Sequence, residues 1–252
     1  MKYFKEFLIL VAVVLSSHLV FSQAPAAKPV YVIVHGAWGG AWSFKKVDSL
    51  LTETGKIVYR PNLTGQGERA HLATLDVGLD THIKDVVNTI LYEDLHNVIL
   101  VGHSYGGMVV TGVADSIPNR ISKLIYLDAF VPDDNESLNS ITNNNITRFE
   151  IKNGYVIPPW VRSGQMPPKD VPHPYKTLSD SIVLKNPLRL KLPTTYIHTV
   201  EKGKEAKDDE FAAQAERAKQ KGWPIINLEA DHNPQRSIPE ELVKLLQKIA
   251  EN

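Results

Sequence analysis

The sequence predicts an α/β domain in which a mostly parallel sheet is flanked by helices and a cap is inserted between two late strands. Apolar strands alternate with amphipathic helices along most of the chain, as in parallel sheets with right-handed crossovers. The 252 residues are 43% hydrophobic, which is enough for one sizeable core. Residues 133–187 interrupt the alternation because they are rich in Asn, Ser, Thr and Pro and contain no long apolar strand. We therefore predict one domain, residues 23–252, with a cap at about residues 133–187.

The first 22 residues have the features of a secretory signal peptide. Lys2 and Lys5 precede the apolar run 7–15, and cleavage is predicted after Ser22. The run is short for a membrane span, so no stable span is expected after cleavage, with an uncleaved anchor as the alternative. The absence of cysteine excludes disulfides and thiolate metal sites and suits an oxidising compartment. The predicted location is secreted or periplasmic.

Opposite charges are balanced, since the chain has 28 Lys and Arg residues and 28 Asp and Glu residues. Without a net field the chain is not predicted to bind nucleic acid or an anionic membrane surface. No cofactor or metal ion is predicted, and the sequence does not indicate an oligomeric state. A functional prediction must therefore come from the individual motifs.

The first predicted strand, residues 30–34, is a continuous β-branched and aromatic run, typical of a strand buried on both faces. A helix at 44–54 ends at a glycine, and a short strand at 56–59 follows it. Asp80 is predicted to cap a helix that continues to about residue 93, because the apolar residues between them fall on one face. This order of elements gives the first half of a parallel sheet.

The second half continues the alternation. Strands are predicted at 98–101, 121–127, 194–199 and 224–228, and helices at 108–113, at 208–221 and from Pro239 onwards. Parallel strands all end at the same edge of a sheet, so the polar residues that follow these strands are expected to lie close together there.

The run NVILVGHSYGG, residues 97–107, carries the principal motif. A G-x-S-x-G sequence between a strand and a helix is typical of a nucleophile elbow, in which the serine lies on a sharp, strained turn. The turn is too tight for side chains on both sides, which explains Gly102 and Gly106. Ser104 is the predicted nucleophile; the alternative is a glycine-rich turn with an incidental serine.

The predicted general base is His232, which follows the last strand and completes the chain order serine, acid, histidine. His35 lies in a turn, His103 neighbours the serine but is expected to point away from it, and His198 lies inside a strand. The remaining histidines of the predicted domain are expected to be solvated or capping residues: His71, His82, His96 and His173.

Two positions compete for the acid that orients the base. Asp128 directly follows the strand 121–127, whereas Glu201 and Glu205 follow the strand 194–199. Asp208 and Asp209 are interpreted as caps of the next helix. Asp128 is preferred over Glu201 because a short side chain anchored at a strand end holds an imidazole better than a glutamate in a lysine-rich stretch.

The turn after the first strand, HGAWGGAW at residues 35–42, predicts half of an oxyanion hole. One backbone N–H comes from such a turn and the other from the residue after the nucleophile, here Ala37 and Tyr105. A phosphate-binding loop is the alternative, but both of its glycine patterns are missing. Trp38 and Trp160 are predicted to bind substrate, with core packing as the alternative for each.

Together the segments HGAWGGAW, LTGQGER, VGHSYGGMV, YLDAFVP and the C-terminal DH resemble the α/β-hydrolase superfamily. More narrowly, they resemble the group of plant methyl-salicylate esterases, hydroxynitrile lyases and pyrethroid-type carboxylesterases. The resemblance implies an α/β-hydrolase sheet, with Ser104 as nucleophile, His232 as base, and Ala37 and Tyr105 as oxyanion donors. Plant members are expected to carry an aspartate after the strand that matches 194–199, and the lack of a clean match here strengthens Asp128.

The leading hypothesis is a cofactor-independent serine carboxylesterase that hydrolyses small apolar or aromatic esters through an acyl-enzyme. A lyase or perhydrolase could use the same site. Hydroxynitrile lyases of this group have a threonine and a lysine where this chain has Gly36 and Asn233, which argues against cyanohydrin cleavage. A non-catalytic small-molecule-binding homologue is the other alternative.

Overall fold

A six-stranded parallel sheet is the centre of the structure, a computed structural model that describes residues 29–251. The strands in chain order are β1 (Val30–Val34), β2 (Ile57–Tyr59), β3 (Val98–His103), β4 (Ile121–Leu127), β5 (Glu150–Lys152), β6 (Tyr155–Ile157), β7 (His173–Pro174), β8 (Thr194–Val200) and β9 (Ile225–Glu229). The large sheet has the order β2-β1-β3-β4-β8-β9, and all of its neighbours are parallel. The predicted signal segment, residues 1–22, lies outside the described residues, so the predicted location stays a prediction.

Helices cover both faces of this sheet. They are α1 (Lys45–Glu53), α2 (Leu79–Tyr92), α3 (Gly106–Ser116), α4 (Leu138–Ile141), α5 (Tyr175–Ser179), α6 (Ala212–Gln220), α7 (Pro234–Ser237) and α8 (Pro239–Glu251). Buried side chains of α1 and α8 pack in one core on one face, and those of α2, α3 and α6 pack in a second core on the other. No helix among residues 29–251 has the length and apolar character needed to cross a membrane.

Strand β1 shows why its sequence is apolar at every position. Tyr31 and Ile33 belong to the core beneath α1 and α8, whereas Val32 and Val34 belong to the core beneath α2 and α3. Successive strand residues point to opposite faces, so every side chain of a strand that is covered on both faces is buried, and an apolar residue is favoured at each position.

The register of the sheet aligns the ends of its central strands. Val34 of β1 lies opposite Gly102 of β3, and His103 lies opposite Leu127 of β4. Leu127 in turn lies opposite Ile197 of β8. The turns after β1, β3 and β4 therefore meet at one edge of the sheet, as the sequence predicted.

Residues 133–187, which we call the cap, contain secondary structure that the sequence did not predict. Strands β5, β6 and β7 form a small antiparallel sheet, flanked by the short helices α4 and α5. Each of these strands has only two or three residues, too few to show an alternating pattern. Helix α5 packs against α2, which joins the cap to the helical layer on one face of the sheet.

Two predicted helix starts differ from the structure. Helix α2 begins one residue before Asp80, which lies in the first turn, and Gly78 takes the N-cap position. Helix α6 begins at Ala212, after a separate 3-10 turn at Ala206–Asp208. The Asp209 carboxylate accepts the backbone N–H of Phe211 at 3.1 Å, so this acid caps the turn that enters α6.

Candidate active site

Ser104 lies on the turn between β3 and α3 with a φ of 53°, a conformation that L-residues rarely adopt. The turn is closely packed on both sides of the serine. A Cβ on Gly102 would lie 2.6 Å from the Cγ2 of Val110, and one on Gly106 would lie 2.7 Å from the carbonyl oxygen of Val34. The two glycines of the motif are therefore required by the close approach of neighbouring atoms.

Asp128 follows β4 and is bound directly to His232. The Asp128 Oδ2 lies 2.7 Å from the His232 Nδ1, and its Oδ1 accepts the backbone N–H of Thr199 at 3.1 Å. The carboxylate is only 1% exposed. Since an ionised carboxylate accepts hydrogen bonds, the His232 Nδ1 carries the proton and the Nε2 remains an acceptor. This tautomer is the one that a general base needs.

Glu201, the competing acid, does not reach this site. Its side chain is 53% exposed and forms an ion pair with Lys204 at 2.9 Å. The geometry therefore favours Asp128 over Glu201 as the partner of His232.

Two aromatic rings pack against the His232 imidazole. The Phe211 ring stacks on it with centroids 4.6 Å apart and an angle of 13°, and the His103 ring lies 4.8 Å away. The His103 Nε2 also donates to the backbone carbonyl of His232 at 2.7 Å. Burial, with His232 nearby as the second cause, lowers the pKa of His103 to about 3. A neutral His103 thus holds the backbone of the predicted base.

Ala37 and Tyr105, the predicted oxyanion donors, line one cavity together with Ser104 and His232. Among the hydrogen bonds of residues 29–251, none uses the backbone N–H of Ala37 or Tyr105. No hydrogen bond joins the Ser104 hydroxyl to His232 within the same described range, although both face this cavity. Such contacts commonly tighten when substrate binds.

The cavity has a volume of about 360 Å³, and its walls combine apolar with polar and charged side chains. Trp38, Phe149 and Trp160 form one wall, with ring centroids 5.3 to 5.6 Å apart and nearly perpendicular planes. Other apolar lining residues are Trp42, Phe130, Leu138, Ile146, Leu178 and Phe211. The structure thus places both predicted substrate-binding tryptophans, Trp38 and Trp160, at the cavity.

Two histidines behave differently from the sequence expectation. His82 and His173 are fully buried, so the prediction that they are solvated or capping residues is wrong. The Tyr105 hydroxyl donates to the His82 Nδ1 at 2.9 Å, and the His82 Nε2 donates to the Thr64 carbonyl at 2.9 Å. Burial lowers the pKa of His82 to about 4 and raises the pKa of Tyr105. No local sequence signal marks these contacts, because their partners are distant in the chain.

Asp128, His198 and Asp209 form the one group within residues 29–251 whose ligand atoms lie close enough to consider a metal ion, within 4.8 Å of one another. Both oxygens of Asp128 are already hydrogen-bonded, and the His198 Nε2 lies 3.5 Å from the Asp209 Oδ1. The Asp128 carboxylate therefore already accepts hydrogen bonds on both oxygens, and we assign no metal ion to the group.

Comparison of the sequence with known proteins shows its relatives. The chain matches the model of the alpha/beta hydrolase family over residues 31–245. The pFDCC methylesterase of Arabidopsis thaliana is 30% identical over 255 residues, covering 87% of this chain and 94% of that protein. A carbendazim hydrolyzing esterase of Nocardioides sp. strain SG-4G is 54% identical over 108 residues, covering 43% of this chain and 45% of that protein. The chain thus matches less than half the length of the second relative.

Solved structures show the same fold. The crystal structure of a methylesterase from Arabidopsis has a TM-score of 0.69 and 26% identity, covering 88% of this chain and 99% of that one. An extracellular alpha/beta-hydrolase from a Paenibacillus species has a TM-score of 0.71 and 23% identity, covering 89% and 100%. These relatives confirm the predicted fold and the resemblance to the methylesterase group. With its parallel sheet, its serine turn and these matches, the chain belongs to the alpha/beta hydrolase family.

Proposed function

We propose that this protein is a serine carboxylesterase with Ser104 as nucleophile, His232 as general base and Asp128 as the acid that orients the base. The observation that carries the proposal is the Asp128–His232 hydrogen bond of 2.7 Å beside a serine on a strained turn. The relatives named as methylesterases and as a carbendazim hydrolyzing esterase support ester hydrolysis.

In the first step, the His232 Nε2 takes the proton of the Ser104 hydroxyl while the Ser104 Oγ attacks the ester carbonyl carbon. The resulting imidazolium is stabilised by the ionised Asp128 on its other nitrogen. The backbone N–H groups of Ala37 and Tyr105 donate hydrogen bonds to the tetrahedral oxyanion. Since neither N–H has another partner among residues 29–251, both are available for this role.

Collapse of the tetrahedral intermediate breaks the bond to the alcohol oxygen, which receives its proton from His232. The acyl group remains on the Ser104 Oγ. His232 then takes a proton from water, the hydroxide attacks the acyl carbon, and the acid is released as Ser104 regains its proton. None of these reaction steps requires a cofactor.

The cavity supports small substrates with an apolar or aromatic group. Its volume of about 360 Å³ lies at the small end of ligand pockets. Trp38, Phe149 and Trp160 offer ring edges and faces to an aromatic substrate, which favours offset or edge-to-face contacts. The names of the relatives add methyl esters and carbendazim, an aromatic methyl carbamate, as compounds to test.

The test is hydrolysis by the purified chain of a panel containing methyl benzoate, methyl salicylate, p-nitrophenyl acetate and carbendazim. Ser104→Ala should lower kcat at least about 10³-fold on every accepted substrate. Ser49→Ala, on the exposed side of α1, is the matched control and should keep the wild-type rate. A fluorophosphonate should also form an adduct with Ser104. Hydrolysis at an unchanged rate by Ser104→Ala would overturn the proposal.

A lyase reaction on cyanohydrins is disfavoured because the turn beside Ser104 has no room for the threonine that hydroxynitrile lyases carry at the position of Gly36. A threonine at the position of Gly36 would place its Cβ 2.9 Å from the Ser104 Cβ and 3.2 Å from the His103 Nδ1. The alpha-hydroxynitrile lyase of Arabidopsis thaliana is 34% identical to this chain over 104 residues, covering 41% of this chain. Mandelonitrile is therefore a useful negative substrate: its cleavage by the wild-type chain would favour the lyase.

A further inference from the structure

Trp38, the residue after the proposed oxyanion donor Ala37, is held by the cap through three hydrogen bonds. Its backbone N–H donates to the His173 Nδ1 at 3.2 Å, and its carbonyl accepts the backbone N–H of Val171 at 2.8 Å. Its indole Nε1 donates to the carbonyl of Val156 at 3.1 Å. All three partners belong to the cap, and His173 lies 135 positions further along the chain.

The backbone of Trp38 needs such support. Its φ is 62°, in the left-handed region, which is a genuine outlier for a bulky residue. Strained conformations of this kind persist where the surrounding contacts over-determine them. Here the hydrogen bonds that fix Trp38 from outside its own turn come from the cap.

These contacts also fix the orientation of the neighbouring peptide. The carbonyl of Ala37 and the N–H of Trp38 belong to one planar peptide unit. That carbonyl accepts the N–H of Gly39 at 2.7 Å, while the N–H donates to His173. Because its carbonyl and its N–H are both hydrogen-bonded, this peptide unit has a fixed orientation, and it sets the position of Ala37. The N–H of Ala37 is left for the oxyanion.

His173 touches the second donor residue as well. Its ring packs edge-on against the Tyr105 ring, with centroids 5.1 Å apart and an angle of 75°. Its Nε2 donates to the Thr177 Oγ1 at 2.8 Å, and that hydroxyl donates to the Pro174 carbonyl at 2.8 Å. Because the Nε2 carries the proton, the Nδ1 is the acceptor that Trp38 requires. Burial holds the pKa of His173 well below its ordinary value, which keeps the ring neutral.

We propose that His173 is a positioning residue for both oxyanion donors, through the Ala37–Trp38 peptide on one side and the Tyr105 ring on the other. The cap is then part of the catalytic apparatus as well as a wall of the substrate cavity. This inference rests on the proposed function, and it predicts that a change at His173 acts on turnover rather than on substrate binding.

The test compares His173→Leu with His173→Asn in the full chain. Leucine removes the acceptor, so kcat should fall between about 10-fold and 10²-fold with KM within about threefold, because oxyanion donors act mainly in the transition state. Affinity for an aryl trifluoromethyl ketone, which forms a tetrahedral adduct, should fall by the same factor as kcat. Asparagine places its side-chain oxygen near the position of the Nδ1 and should recover most of the activity.

A matched cap variant separates positioning from loss of wall contacts. Trp160→Phe changes the cavity wall without touching a hydrogen bond of Trp38, so it should change KM more than kcat. The proposal is overturned if His173→Leu, shown to be folded by its circular dichroism and melting temperature, keeps kcat and inhibitor affinity within twofold, or changes KM alone. If His173→Leu does not fold, His173→Asn is compared with His173→Gln. Glutamine moves the acceptor oxygen one bond further from the backbone, so its kcat should be lower than that of the asparagine variant. Equal kcat values for the two variants would contradict the inference.

Failure of the proposed function would be recognised separately. A wild-type chain without ester turnover would refute the proposed esterase activity. The hydrogen bond from the Trp38 N–H to His173 could still be tested by amide hydrogen exchange. In that case the backbone amide of Trp38 should exchange at least tenfold more slowly in the wild type than in His173→Leu. Equal exchange rates would show that His173 does not hold the Trp38 backbone, and they would refute this inference whatever the activity.

Discussion

Two regions of the molecule meet at Ser104 and are built differently. The edge of the parallel sheet carries Ser104 and Asp128 on turns that directly follow long, buried strands. The cap has strands of two or three residues and helices of four or five. Strand pairing fixes the first region through many backbone hydrogen bonds, whereas the cap has only short strand pairs and depends more on individual side-chain and loop contacts.

This difference separates the expected effects of substitution. Residues on the strand ends should affect the chemical step, since their positions define the reacting geometry to fractions of an ångström. Residues of the cap should affect substrate binding and selectivity, because they form walls of the cavity. His173 is the proposed exception, and it crosses the boundary because it binds the turn after β1.

The largest effect is expected at the strand-end acid. Asp128→Asn should lower kcat by about 10³-fold to 10⁴-fold, because an amide no longer selects the required tautomer of His232 or stabilises its imidazolium. Glu201→Gln, the matched control at the rival position, should change kcat less than twofold, since Glu201 contacts Lys204 in solvent. Steady-state hydrolysis of p-nitrophenyl acetate measures both. The reverse ranking would transfer the acid role to Glu201.

The next effect concerns the packing of the turns at this edge. Gly36→Thr places a Cβ 2.9 Å from the Ser104 Cβ, so the nucleophile must shift, and turnover should fall on the order of 10²-fold. Gly39→Ala is the control in the same turn, because its Cβ has no neighbour closer than 3.9 Å. Similar losses in the two variants would show that the turn, rather than the serine, is sensitive. The kcat values of both, measured with folded protein, distinguish these outcomes.

The junction between the two regions should make stability depend on pH. Burial lowers the pKa of His82 from its ordinary value of 6.5 to about 4, and it lowers the pKa of His35 to about 4 for the same principal reason. Below pH 6.5 the unfolded chain binds protons that the folded chain excludes, so the free energy of unfolding falls as the pH drops towards 4. Each of these histidines lowers the free energy of unfolding by up to about 3 kcal/mol as the pH falls from 6.5 to 4.

Urea denaturation at several values between pH 7 and pH 4.5 measures this dependence. His82→Gln removes one of the buried histidines whose pKa is lowered, so the slope of the unfolding free energy against pH should decrease by about 1.4 kcal/mol per pH unit. His71→Gln, at an exposed position of the 3-10 turn Gly67–Leu72, should leave the slope unchanged. An unaltered slope in His82→Gln would mean that this histidine is not excluded from protonation in the folded state.

The same contrast explains which parts were predictable from the sequence. The strand ends were predicted because each strand is rich in apolar or β-branched residues and is followed by a polar or glycine-rich turn. The G-x-S-x-G spacing also predicts the strained backbone of Ser104 directly. The preference for Asp128 over Glu201 followed from the same local logic, and the structure brings Asp128 to His232. The catalytic roles of these residues stay predictions until they are tested.

The cap was not predictable in this way. Its strands are too short for a periodic pattern, and the hydrogen bond between His173 and Trp38 joins positions 135 residues apart. Phe211, which stacks on His232, lies just before a helix and carries no motif of its own. Such contacts depend on the packing of distant segments, which a local pattern does not encode.

The smallest effect is expected at the outer wall of the cap. Trp160 is 44% exposed and touches Trp38 and Phe149 edge-on at 5.5 and 5.3 Å. Trp160→Phe keeps an aromatic ring but reduces its area, so KM for methyl benzoate should rise about twofold to fivefold with kcat nearly unchanged, in line with about 0.5–1 kcal/mol for one aromatic contact. The aliphatic ester methyl butyrate is the matched control and should show a smaller change. A larger loss in kcat than in KM would place this part of the cap with His173 in the positioning of the oxyanion donors, and the division between the two regions would then lie further into the cap.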